Sequence, residues 1–177
     1  MNTEMICRVE DLGLVDFEDA RACQKVQVAR VRAGSRPVLL LCEHPAVITL
    51  GRLAQEKNIL VSRETLERKG VQVVSTDRGG DVTLHAPGQL VAYPILPLAR
   101  WKKDLHWYLA QLEQVAIDLL MSFGIVANRI PGKTGVWTDS CKIVSIGVGV
   151  RQWVTYHGLG INVDLDMALF DLINPCG

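Results

Sequence analysis

Residues 78–96 read RGGDVTLHAPGQLVAYPIL. Gly79-Gly80 and Pro87-Gly88 are two chain-reversal signals, and Val82-Thr83-Leu84 between them is a short β-prone segment. The pattern predicts a hairpin that runs on into the apolar strand LVAYPIL. Arg78 and His85 sit at the edges of the two turns, where the side chains of a loop can meet a ligand.

Outward from this stretch the chain alternates short strands with two substantial helices. Towards the N-terminus, PVLLLC (37–42) and AVITL (46–50) are strand candidates joined by a turn at Glu43-His44-Pro45, and VQVVS (71–75) is another. Asp16 to Ala33 has loosely helical apolar spacing, with Gly34 as its stop. Ser62 can cap a short helix with Glu64 in its first turn, Arg68 and Lys69 in its last, and Gly70 beyond. The strongest helix begins at Asp104, where Leu105, Tyr108, Leu109, Leu112, Val115, Ala116, Leu119 and Leu120 form one apolar stripe closed by Gly124. Beyond it come IVA, GVW, KIVSIGVGV, WVTY and GINVD, all β-prone, then a short helix DMALFDLI and Asn-Pro-Cys-Gly. Mixed strands with few helices predict an α+β fold rather than a doubly wound sheet.

Composition bounds the function. At 177 residues and 49% hydrophobic, the chain suits one domain with a sizeable core. Nineteen basic residues balance nineteen acidic ones, which argues against wholesale nucleic-acid binding. Local basic clusters remain: Arg21, Lys25, Arg30, Arg32 and Arg36, and then Arg100, Lys102 and Lys103 around Trp101. Five irregularly spaced cysteines without a CxxC pair suggest neither a disulfide framework nor a zinc site, and free thiols point to a reducing compartment. The N-terminus has no apolar signal region, and no apolar run approaches the roughly 20 residues a membrane helix needs. The expected location is cytoplasmic.

Three local patterns bear on chemistry. ANRIPGKT (127–134) has a relaxed phosphate-loop spacing, but β-prone Gly135-Val136-Trp137 follows where such a loop needs a helix, so the match is rejected. In KIVSIGVGV, period-two alternation puts Lys142 on the face of Val144, Ile146, Val148 and Val150. Ser145, Gly147 and Gly149 then form the opposite face, where missing side chains let a ligand approach the backbone. Lys142 itself either snorkels at a strand end or is partly desolvated. Cys176, between a rigid proline and a flexible glycine, is either a small buried hydrophobe or a presented thiol. Among the histidines, His106 falls on the long helix, His44 precedes a proline, His157 opens His-Gly-Leu-Gly, and His85 has the most reactive setting.

Taken together, CEHPAVITLGR (42–52), DRGGDVTLHAPGQLVAYPIL (77–96), KTGVWTDSCKIVSIGVGVRQWVTYHGLGINV (133–163) and FDLINPCG (170–177) resemble one family, the octanoyltransferases of lipoate biosynthesis, or lipoate-protein ligase B. The resemblance covers almost the whole chain. It implies a single-domain biotin/lipoate protein ligase-like α+β fold, with a mixed sheet packed against helices. It also implies transfer of an octanoyl group from octanoyl-acyl carrier protein to a lysine of a lipoyl domain, in a 2-oxoacid dehydrogenase complex or the glycine cleavage H protein, through an acyl-cysteine thioester.

Carried over by residue, Cys176 matches the acylated nucleophile and Lys142 the lysine that activates it. Arg78, Gly79, Gly80, Asp81, Val82, Thr83, Leu84 and His85 match the substrate-binding loop, with Arg78 and His85 shaping the mouth of an acyl pocket. Ser145-Ile146-Gly147 and Gly158-Leu159-Gly160 match two further substrate-contacting segments. The chemistry calls for no metal, nucleotide or other cofactor. A thiolate and an ammonium placed together stabilise each other, and a desolvated lysine gives up its proton more readily.

The chain departs from the family pattern at Leu84, where a tyrosine is usual, at Ala86 in His85-Ala86-Pro87-Gly88-Gln89, and at Gly160-Ile161-Asn162. These departures bear on the pocket wall and on chain length. Members of the family continue beyond Pro-Cys-Gly, so residues 1–177 are read as a single catalytic domain lacking that extension. Two rival readings stand beside this one: an ATP-dependent lipoate or biotin ligase on the same fold, and a non-catalytic domain that binds an acyl chain or carrier protein. His85 is the alternative base. The early basic cluster, with Arg30 and Arg32, is an expected docking surface for acidic partners.

Overall fold

The computed structural model describes residues 6–139 and 141–175. The order of elements follows from short apolar runs separated by glycine, proline and capping residues. Strand β1 (Arg8–Leu14) leads into helix α1 (Phe17–Arg32) and strand β2 (Val38–Glu43), and β1 pairs with β2 in parallel. Strand β3 (Val47–Leu50), helix α2 (Arg63–Arg68) and strand β4 (Gln72–Ser75) repeat that parallel arrangement on a smaller scale. Strands β5 (Val82–His85) and β6 (Gln89–Ile95) follow, then helix α3 (Leu105–Ser122) and strands β7 (Val136–Thr138), β8 (Cys141–Arg151) and β9 (Val154–Asn162).

The strands form two sheets: a larger one ordered β1-β2-β6-β9-β8-β7 and a smaller one ordered β4-β3-β5. The chain therefore changes sheet twice, between β2 and β3 and between β5 and β6. The hairpin predicted around Val82–Leu84 does not form. β5 pairs with β3 and not with β4 or β6, so Pro87-Gly88 turns the chain from one sheet into the other. The two crossing points are tied together where the Gly88 N–H donates to Glu43 Oε2 at 2.7 Å.

The helices begin and end where their caps require. The Asp104 side chain accepts from the Trp107 N–H at 2.9 Å and starts α3; Ser62 does the same for α2 through the Thr65 N–H. After α3, Gly124 adopts a left-handed φ of 76° while Ile125 N–H returns to the Leu120 carbonyl, closing the helix end. The buried stripe of α3 is narrower than its sequence suggests: Tyr108, Leu112, Ala116 and Leu120 are buried, whereas Val115 and Leu119 face out. Residues 167–172 wind as 3₁₀ turns rather than as an α-helix.

Three apolar clusters hold the layers. One lies under α1 and includes Val38, Leu40, Val91 and Ile95; one lies under α3 and includes Val136, Val144, Val148 and Ile161; the third backs the small sheet with Ile48, Leu66, Leu84 and Ile173. The Lys142 alternation is broken by register. Val136 pairs with Val144 but Trp137 with Lys142, leaving Ile143 as an extra residue. Such a bulge re-aims the side chain beside it. Val144 and Val148 stay in the core, and Lys142 turns to the same cleft as Ser145 and Gly147. Among the described residues, no helix is long and apolar enough to cross a membrane.

Candidate active site

A cleft runs between β5 of the small sheet and β6, β9 and β8 of the large one. It is walled by Val82, Thr83 and His85 on one side and by Val91, Tyr93, Ser145, Gly147 and Gly158–Gly160 on the other. At Lys142 it meets a second, open groove lined by Arg52, Leu105, Leu109, Lys133 and Trp137. Lys142, Gly80, Ile146, Gly147 and Pro175 border both arms. Lys142 is thus at an elbow, with its ammonium 5.1 Å from the centre of the Trp137 ring, close enough for a cation–π contact.

The lysine stem reaches the elbow across Gly135. A Cβ there would lie 2.5 Å from Lys142 Cε and 2.6 Å from the Val144 carbonyl oxygen, and its φ of 135° also favours glycine. The Gly135 N–H is held by Glu113 Oε1, whose other oxygen accepts from Arg129. A buried carboxylate paired with arginine and a backbone amide is satisfied on both oxygens, and here it fixes the segment over which Lys142 extends.

The Arg78–His85 run is built differently from expectation. Arg78 is 7% exposed. Its guanidinium donates to the Thr49 hydroxyl and carbonyl and to the carbonyls of Gly79 and Asp81, at 2.6–3.1 Å. Five donors in a planar fork can serve several acceptors at once, so the arginine stitches the loop to β3 while it also lines the cleft. Asp81 braces the same loop from outside, accepting from the Gln55 N–H and the Asn58 side chain. The loop then crosses β8, where the Gly79 N–H donates to the Val148 carbonyl at 2.9 Å. Gly147 permits that crossing, because a Cβ there would sit 3.1 Å from both Arg78 Cδ and Gly79 O.

His85 lies in the interior rather than at a mouth. Its Nδ1–H donates to Gln89 Oε1 at 2.6 Å, while the Gln89 amide donates to the Leu84 carbonyl and to Asn162. The carbonyl oxygen of Gln89 can only accept, so the proton on His85 is assigned to Nδ1. Burial, and then the neighbouring His44, push the His85 pKa down to about 3, so the ring is neutral. His44 is likewise buried and lowered by desolvation; its Nδ1–H donates to the Val15 carbonyl and its Nε2 accepts from the Tyr93 hydroxyl, both at 2.7 Å.

The deep end of the cleft holds residues that the sequence pattern did not single out as site residues: Phe17, Val91, Tyr93 and His157. His157 is inside strand β9, not ahead of it, with a left-handed φ of 55°. Its N–H donates to Gln24 Oε1 at 2.7 Å and its Nε2 faces Asp77 Oδ1 at 3.0 Å. Burial alone would raise the Asp77 carboxyl, but hydrogen bonds from His157 and Tyr156 outweigh it and hold the group below its ordinary value. The only local signals for this end were a histidine before glycine and an aromatic at a helix start.

Of the residues expected to contact substrate, Arg78, Gly80, Asp81, Val82, Thr83, His85, Ser145, Ile146, Gly147, Gly158, Leu159 and Gly160 converge on the cleft with Lys142, and Gly79 borders the open groove. Leu84 does not. It is fully buried in the core behind the small sheet, so its difference from the family pattern lies away from the pocket wall. Cys176 lies outside the described residues; Pro175 before it borders both arms of the cleft. The phosphate-loop reading stays excluded, since strand β7 follows residues 127–134. Among the described residues no group of histidine, cysteine and carboxylate side chains could hold a metal ion.

Comparison with known proteins agrees with this architecture. The chain is 50% identical over 170 residues to an octanoyltransferase of Geobacter metallireducens, covering 96% of this chain and 76% of that protein. It is 48% identical over 172 residues to an octanoyltransferase of Solibacter usitatus, covering 97% and 78%. Among solved structures, lipoate-protein ligase A bound with ATP superposes with a TM-score of 0.75 at 15% identity, covering 99% of this chain and 73% of that one. A bipartite lipoate protein ligase from Thermoplasma acidophilum gives 0.74 at 17% identity, covering 96% and 66%. These two likenesses bear on the fold alone. The model of the lipoyl protein ligase A/B catalytic domain matches residues 16–177. With that match over nearly the whole chain, the protein belongs to the lipoyl protein ligase A/B catalytic-domain family.

Proposed function

We propose that this chain is an octanoyltransferase that moves an octanoyl group from octanoyl-acyl carrier protein to a lysine of a lipoyl domain, the first step in making the lipoate cofactor. The observation that carries the reading is the near-50% identity to relatives named octanoyltransferase over almost the whole chain. The two-armed cleft with a lysine at its elbow is the geometry such a reaction needs.

In the first half-reaction the Cys176 thiolate attacks the thioester carbonyl of the donor. The carbon–sulfur bond to the donor breaks, and its thiolate leaves with a proton supplied by Lys142. In the second, the amine of the acceptor lysine attacks the acyl-cysteine; Lys142 takes the proton that the amine loses, and Cys176 departs as thiolate. Thioester is exchanged for thioester and then for the more stable amide, so no ATP is consumed. The narrower arm, walled largely by apolar side chains and glycine backbone with Arg78 and Asp81 at its loop side, suits the acyl chain, where each buried methylene contributes about 0.8 kcal/mol. The open groove gives donor and acceptor a common path to the elbow. The low pKa of buried, Gln89-bound His85 makes it a weak base, which supports Lys142 in that role.

The test is intact-protein mass after incubation with octanoyl-acyl carrier protein in the absence of ATP, with Cys176→Ser alongside. One hydroxylamine-labile octanoyl group on the parent chain, absent from the variant, is the expected result. Transfer to a lipoyl domain that proceeds only with ATP and free fatty acid would overturn the reading in favour of a ligase.

A further inference from the structure

Resting on the octanoyltransferase reading, we infer that Phe17, packed beside His85 and His157 in the wall of the cleft, sets the length of acyl chain the protein accepts. Phe17 is the first residue of α1 and only 2% exposed, yet it lines the cleft. Its ring lies almost parallel to both histidines: 6.1 Å and 14° from His85, 6.4 Å and 7° from His157. His44 meets it edge-on at 5.4 Å. Phe17, His85 and His157 line one stretch of the cavity wall, and His44 packs against Phe17 and His85 outside that lining.

A gauge of length must be rigid, and each ring beside Phe17 is held by a separate bond. Gln89 fixes His85, the Val15 carbonyl and Tyr93 fix His44, and Asp77 fixes the His157 ring while Gln24 holds its backbone N–H. Gln24 comes from the same buried face of α1 as Phe17, seven residues on, so one helix places both the Phe17 ring and the bond that anchors the His157 backbone. Phe17 is therefore backed by rings that are themselves held, and close packing on that side leaves it little room to retreat from the cleft.

His157 supplies the second reason, because it also lines a separate cavity in which Arg21, Lys25, Arg32, Asp77 and Arg151 stand beside Val28 and Ala29. A chain that passed His157 would meet charged side chains as well as apolar ones, so a methyl terminus gains less there. Short of Phe17 each added methylene is worth about fourfold in binding; beyond it that gain falls. Affinity should climb with length up to Phe17 and break there.

The experiment presents the parent chain, Phe17→Ala, Phe17→Leu and Phe17→Trp with an equimolar mixture of hexanoyl-, octanoyl-, decanoyl- and dodecanoyl-acyl carrier protein. The ratios of acyl-enzyme masses are then read. Phe17→Ala should raise the decanoyl-to-octanoyl ratio at least tenfold, Phe17→Leu should raise it less, and Phe17→Trp should lower octanoyl against hexanoyl. Should the alanine variant fail to fold, the leucine and tryptophan variants carry the test, since they keep a large apolar side chain and still shift the ratio in opposite directions. Folded variants with the parent's ratios would overturn the gauge while leaving the transferase reading intact. No acyl-enzyme of any length on the parent chain would overturn the transferase reading itself.

Discussion

The two ends of the cleft are made of opposite materials. At the elbow a flexible lysine stem crosses a glycine, beside an open groove with Arg52 and Lys133 on its rim. At the closed end, aromatic and imidazole rings from α1, β5, β6 and β9 interlock, and every histidine there has a polar partner. The difference separates two kinds of work. Proton transfer needs a charged group with room to change partners. Recognition of an apolar chain needs a dry wall that does not move, and burial keeps its histidines uncharged. Both ends hang from one loop, 78–85, which Arg78 locks to the small sheet.

The contrast can be broken first at the elbow. Lys142→Met should lower octanoyl transfer about a thousandfold while leaving the unfolding midpoint close to that of the parent. Single-turnover transfer from octanoyl-acyl carrier protein to a lipoyl domain measures the first, and thermal unfolding the second. A variant that keeps its rate would move the proton-transfer role away from Lys142. The loop joining the two ends comes next. Arg78→Lys leaves buried carbonyls of Thr49, Gly79 and Asp81 short of donors and should cost about 3 kcal/mol of stability by urea unfolding. A loss below about 0.5 kcal/mol would mean that the backbone alone holds the loop.

The closed end gives the smallest and most specific effect, a dependence on pH. Folded His85 takes up a proton only near pH 3, whereas an unfolded histidine does so near pH 6.5. Between these values the unfolded chain binds the extra proton, so stability is complete above about pH 6.5 and is lost as pH falls toward 3. The slope is up to about 1.4 kcal/mol per pH unit for each such group. His44 and His157 are also lowered by burial and add in the same sense. His85→Gln should remove about one proton from the slope of urea stability between pH 4 and 6. An unchanged slope would show that His85 is not the group titrating there.

Much of the site was legible in the chain because it is built from a few short stretches, each continuous in itself. Gly79-Gly80, Ser145–Gly147 and Gly158–Gly160 each announce a backbone that another segment can approach, and all reach the cleft or its groove. Their order along the chain was enough to suggest the family. What could not be read was pairing. Val82–His85 has the composition of a hairpin arm, but β5 finds its partner in β3, more than thirty positions earlier along the chain. Strand β1 gave no signal because it is an edge strand whose residues, including Val9 at 59% exposure, lack alternation.

Local composition determined the α+β class, the capped helices at Asp104 and Ser62, and the glycines that admit close approach, because turn chemistry and side-chain period act over a few residues. Tertiary structure alone decided three things. A bulge at Ile143 turned Lys142 toward the cleft. Long-range bonds made Arg78 a brace and His85 a neutral interior ring. The approach of α1 to β9 brought Phe17 against His157. Each depends on contacts between segments tens of residues apart, where a hydrogen bond or a packed ring is set by geometry that no local pattern encodes.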